Sequence, residues 1–132
     1  MIKKIIITLV MVLGVGSLLL TFKLMLSKKI SPRQLIELND SKWQELSSNQ
    51  EALYRGKIEY QLRCIKCHSN DLKGNYAGPS LIDSEWLHGD NYNDIYKSIY
   101  YGNGKMRGYG KKLLLTDIQD ITVFIKSKQI QE

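Results

Sequence analysis

Cys64-Ile65-Lys66-Cys67-His68 decides how this chain is read. Two thiols three residues apart are followed at once by an imidazole, and the 132-residue chain holds no other cysteine. Thiols this close cannot staple distant parts of a fold, so the pair points to metal, redox or cofactor chemistry. In one turn of helix the two sulfurs match the spacing of the vinyl groups of a haem, and the following imidazole falls beneath the ring. The motif therefore implies one covalent haem c, with Cys64 and Cys67 as thioethers and His68 as an axial iron ligand. Three other readings compete. A zinc site would have to use Cys64, Cys67, His68 and His88, yet adjacent Cys67 and His68 rarely reach one tetrahedral ion, and no second Cys-x-x-Cys half exists. A thioredoxin-like dithiol needs a βαβ context that the flanking sequence lacks. The last reading is two small buried hydrophobes spaced by chance.

Upstream of the motif, Ser48-Asn49-Gln50-Glu51 reads as a capping box opening a helix that runs to about Arg63. On it Gly56, Tyr60 and Cys64 recur every four residues and share one face. Glycine costs about 1 kcal/mol in a helix relative to alanine, so Gly56 suggests a close backbone approach. Downstream, a helix is expected over Tyr92 to Tyr101, capped by Asn91 or Asp90, striped by Ile95 and Ile99 and stopped by Gly102. A last helix starts at Thr116-Asp117-Ile118-Gln119, a second capping box. It buries Ile118, Ile121, Phe124 and Ile125, with Lys126 and Lys128 complementing its dipole. Between the helices, 69–80 and 102–110 are rich in Gly, Pro and Asn, and no strand-like alternation appears. The domain reads as all-α, three main helices joined by irregular loops, which hold shape in a small domain when they wrap something.

The N-terminal part is different. Ile5 to Phe22 carries no charge and no proline, and with Leu24, Met25 and Leu26 the apolar stretch reaches about 22 residues, or ~33 Å of helix, enough to cross a bilayer core. Lys23 lies where it can snorkel to the headgroups. A cleaved signal peptide is the alternative, but no small-residue cleavage site follows. The division expected is 1–27 transmembrane anchor, 28–47 polar linker and 48–132 globular domain. Within the linker Ser31-Pro32-Arg33-Gln34 could open a short helix, Asp40-Ser41-Lys42-Trp43 could start another turn, and Trp43 reads as an interfacial or packing residue. The formal net charge is +6, but Lys3, Lys4, Lys23, Lys28 and Lys29 flank the apolar run, and without them the chain is near neutral. That distribution belongs to membrane topology and excludes nucleic acid as a partner. The two flanks carry similar charge, so the outward, periplasmic placement of the domain on a single-pass protein of the inner membrane follows from its cofactor chemistry, not from charge.

From residue 48 to about 128 the sequence resembles class I cytochrome c, above all the small single-haem domains of bacterial respiratory chains. Gly56 and Tyr60 match that family's Gly-x-x-x-aromatic pattern, with Ile121 and Phe124 where its partner pair is expected. Gly78-Pro79-Ser80-Leu81 resembles its Gly-Pro-x-Leu loop. Trp86-Leu87-His88-Gly89, Ile99-x-x-Gly102 and Leu115-Thr116 also fit. The resemblance implies that the Pro79 carbonyl accepts a hydrogen bond from His68 and that Met106 is the second axial ligand. Met1, Met11 and Met25 lie in or before the apolar segment. Where the family usually has Met-Pro, Arg107 follows Met106, and His88 is the alternative ligand. The resemblance further implies an electron-transfer protein, not an enzyme. It would carry single electrons between a quinol-oxidising complex and a terminal oxidase or reductase, either as a shuttle or as a permanent subunit of one of these oxidoreductase complexes. Lys105, Arg107, Lys111 and Lys112 cluster around Met106 in the sequence, either as a patch that steers an acidic partner or simply as a solvated loop surface. A haem-based gas or redox sensor with a labile sixth ligand is the alternative.

Overall fold

The computed structural model describes residues 35–129. The anchor expected over 1–27, and residues 28–34 of the linker with most of the expected short helix, lie outside the described residues. Among the described residues no helix is long and apolar enough to cross a membrane.

Helix α1 spans Asp40–Ser48 and is capped by Asn39, whose side chain accepts from the Lys42 N–H. Helix α2, Gln50–Arg63, follows after a single residue. Its cap is Asn49, which accepts from the N–H groups of Glu51 and Ala52. Ser48, expected to open this helix, instead ends α1 and donates its hydroxyl to Glu45 O. The one-turn helix α3, Ile65–His68, carries the Cys-x-x-Cys-His motif. Helix α4, Tyr92–Tyr101, is capped by Asn91 and ends at Gly102, whose φ of 83° no β-carbon tolerates easily. It turns directly into a hairpin, β1 Gly102–Asn103 against β2 Met106–Arg107, pairing Gly102 with Arg107 and Asn103 with Met106. No strand was expected here, because two-residue strands leave no periodicity to read. Helix α5, Leu115–Lys126, begins one residue before the expected Thr116. The Leu114 N–H donates to the Asp117 carboxylate, which supplies the cap.

The core lies where α2 crosses α5. Gly56 faces Asp120 and Phe124 of α5: a β-carbon at Gly56 would stand 2.0 Å from Asp120 O and 2.9 Å from Phe124 Cβ. One turn on, the Tyr60 and Phe124 rings pack at 5.5 Å. The close approach expected at Gly56 is thus present, with Asp120 standing beside Phe124 at the crossing. Ile121 is buried nearby in α5. That helix is buried from Ile118 to Ile125 apart from Gln119, and its Thr122 hydroxyl donates back to Ile118 O at 2.7 Å.

The domain begins earlier than Ser48. Trp43 is 1% exposed, stacked on Tyr92 at 5.3 Å and set edge-on to Tyr96. Asn93 of α4 clamps the same segment: its side-chain oxygen accepts from Leu38 N–H and Trp43 Nε1–H, and its amide donates to Leu38 O at 2.9 Å. Lys97 pairs with Glu37 at 2.9 Å. Residues from about 35 onward are therefore part of the packed unit, and the expected spacer over 28–47 is corrected there. Trp43 anchors the stretch, Leu35, Leu38 and Leu46 pack beside it against the core, and Asn93, which holds the Trp43 ring nitrogen, sits fifty residues away.

Candidate haem-attachment site

Cys64 is the joint between α2 and α3. Its N–H donates to Tyr60 O at 2.8 Å, closing α2, and its carbonyl accepts from Cys67 N–H and His68 N–H, opening α3. The motif is thus one turn of helix, with both thiols free and neither bonded to the other. Ser69 then takes φ +60° and ends the turn. Tyr60 holds that exit in place. Its hydroxyl donates to Ser69 O at 2.7 Å and lies 3.2 Å from His68 O. Burial, with the neighbouring Cys64 and Asp71, pushes the Tyr60 hydroxyl well above its ordinary range, so it stays a donor.

The loop after His68 folds back over the motif on hydrogen bonds of its own. Gly74 N–H donates to His68 O, Asn75 and Gly78 exchange backbone bonds, and Leu81 N–H donates to Leu72 O. Gly74, at φ +76°, has no room for a β-carbon beside Pro79, and Gly78 lies against Cys67. The result sets Pro79 O 2.9 Å from His68 Nδ1. A carbonyl can only accept, so Nδ1 carries the proton, and in the neutral ring that leaves the Nε2 lone pair free. His68 itself is buried, 9% exposed. Burial likewise pushes the Cys64 thiol up to about 12, which keeps it neutral in the folded chain.

Met106 is half-buried in β2 and packs against the core. Its hairpin is tied back onto α4: Tyr109 N–H donates to Ile99 O and Gly110 N–H to Tyr100 O. The Tyr109 hydroxyl donates to Arg63 O at 3.3 Å, joining this loop to the residue before Cys64. The sequence reading missed that link; an aromatic set between Gly108 and Gly110 was the available signal. His88 is exposed and lines a shallow depression with Asp94, Lys97 and Tyr101. Among the described residues no three His, Cys, Asp or Glu side chains converge as metal ligands. The zinc reading falls with that. The dithiol reading falls because the hairpin is the only sheet among the described residues.

A family model described as cytochrome c oxidase, cbb3-type, subunit III matches residues 51–125. The chain belongs to this family. As a member of it, with the class I cytochrome c fold, the protein carries covalent haem c. The residues fit that group: two free thiols one turn apart, and an imidazole whose tautomer presents an unprotonated nitrogen. Among curated relatives, the cbb3-type oxidase subunit CcoP of Rhodobacter capsulatus is 38% identical over 47 residues, covering 36% of this chain and 16% of its own. The FixP subunit of Sinorhizobium medicae is 27% identical over 86 residues, covering 58% and 30%. The chain thus spans under a third of the length of these relatives. Among solved structures, cytochrome cL of Hyphomicrobium denitrificans superposes with a TM-score of 0.55 at 30% identity, covering 64% of this chain and 50% of that one. Cytochrome CL of Methylophaga aminisulfidivorans gives 0.59 at 20% identity, covering 76% and 72%, a likeness of fold.

Proposed function

We propose that this chain is a membrane-anchored mono-haem cytochrome c that passes single electrons from a quinol-oxidising donor to a terminal oxidase of the cbb3 type. The observation that carries the reading is the His68–Pro79 contact, which fixes the imidazole tautomer beside two free thiols. Cys64 and Cys67 would hold the haem by thioethers, His68 Nε2 and the Met106 sulfur would ligate its iron, and the Pro79 carbonyl would keep the imidazole oriented and basic. Bound there, the haem supplies reversible one-electron chemistry. The protein contributes rigidity: Tyr60 and the loop bonds around Gly74 and Pro79 fix the histidine side, and the ties of Tyr109 and Gly110 fix the methionine side. A chain so braced moves little when the charge at its centre changes. Residues 1–27 would anchor it in the inner membrane with the domain on the outer face. The oxidase role is supported by the CcoP and FixP relatives, which are named as oxidase subunits.

The test uses the full chain in native membranes. A quinol analogue should reduce the haem band, and admitting oxygen should reoxidise it. A haem that ignores both would overturn the reading. A high-spin iron binding carbon monoxide would favour the sensor.

A further inference from the structure

Helix α2 has a second apolar face. Ala52, Gly56 and Tyr60 form its buried side. Two residues further round, by about 200°, Tyr54, Ile58 and Leu62 recur every four residues, and Ile65 extends the line into α3. All four are exposed: Tyr54 64%, Ile58 38%, Leu62 68% and Ile65 39%. The core has no use for this stripe, which runs straight into the Cys64–Cys67 turn.

Resting on the electron-transfer reading above, we propose that the Tyr54–Ile58–Leu62–Ile65 stripe is the docking face for a redox partner protein whose contact surface is apolar at the centre and acidic at the rim. Three observations select that occupant. The first is charge. Lys57 and Lys66 flank the stripe, and among the described residues neither is in an ion pair, so both can meet carboxylates. The second is area. The four side chains expose roughly 400 Å², enough to mark a contact site but well short of the ~800 Å² per partner of a stable complex, which fits a transient electron-transfer encounter and not a permanent dimer. The third is position. Ile65 stands between the two thiols, so a partner seated on the stripe lies beside the haem attachment. This face is separate from the cations around Met106, which act at a distance, whereas the stripe acts only on contact.

The experiment uses a strain lacking the gene for this chain, complemented with the full chain. Tyr54→Ser with Leu62→Ser should leave haem content and spectrum unchanged. It should lower oxygen uptake by its membranes about tenfold when the cytochrome is limiting. The loss should persist at high salt, because apolar contact is not screened. A photo-crosslinking residue at position 62 should give an adduct with an oxidase or quinol-oxidising subunit. Uptake equal to wild type, or adducts only with lipid or with a second copy of this chain, would overturn the proposal. If wild type itself fails to restore uptake, the electron-transfer reading fails, and the failure is told apart because it precedes any substitution.

Discussion

Gly56 and Asp120 meet so closely that a β-carbon on the first would lie 2.0 Å from the carbonyl oxygen of the second. Both partners at this crossing are backbone, so neither side can swing away. Gly56→Ala must push α2 off α5, a strain at the upper end of overpacking costs, about 3 kcal/mol. Urea unfolding of the haem-loaded protein should show it as a lower midpoint. An unchanged midpoint would mean that the two helices are not held at this distance.

Tyr60→Phe keeps the ring against Phe124 but removes the donor to Ser69 O. A part-buried carbonyl then loses its partner, at a cost of about 1 kcal/mol. The same unfolding assay should resolve that loss, and a neutral result would show water filling the gap.

Trp43→Ala removes a side chain that is 1% exposed and the ring on which Tyr92 stacks. Deletions of this size cost about 3–5 kcal/mol. Trp43→Phe should recover most of that stability while losing the Nε1 bond to Asn93. If Trp43→Ala unfolds like wild type, α1 is not part of the cooperative unit.

Met106→Ala should replace a low-spin, six-coordinate iron with an open or differently ligated one. Met106→His should lower the reduction potential, because imidazole favours ferric iron relative to thioether. The visible spectrum and a redox titration report both. Unchanged spectra would assign the second axial position elsewhere, with His88 the next residue to replace.

Asp120 is buried, and burial pushes its carboxyl above the ordinary value of 3.8. Arg55, 2.7 Å away, offsets part of that push. The folded chain therefore holds this proton more tightly than the unfolded one. From the ordinary value up to the raised one, stability falls as pH rises, and below that window the contribution is flat. Arg55→Gln removes the offset and raises the carboxyl further. Its melting temperature should lie below wild type at neutral pH, and the gap should close on acidification through the Asp120 titration. A gap independent of pH would show Asp120 charged without its partner.

Helix α4 could be read from the sequence because its cap, stripe and stop, from Asn91 through Ile95 and Ile99 to Gly102, lie in one local pattern. The thiols and the histidine were legible for the same reason. Pro79 needed the likeness to a known loop, since eleven residues separate it from His68. The start of α1 at Asp40 was legible as a possible turn, but its docking was not: that depends on Asn93, Tyr92 and Tyr96, far along the chain, of which the segment carries no local sign. The Tyr109–Arg63 link spans 46 residues and escaped for the same reason. Ser48 and Thr116 satisfied a capping pattern, yet Asn49 and Asp117 provide the caps.

The Asn93 clamp has a mechanical consequence. It grips both main-chain polar atoms of Leu38, and Lys97 holds Glu37 one turn along the same helix. That helix leads without a break into the hairpin bearing Met106. Leu38 is therefore held at a rivet and not at a swivel. The strut that carries the methionine thus shares its base with the first described residues of the chain.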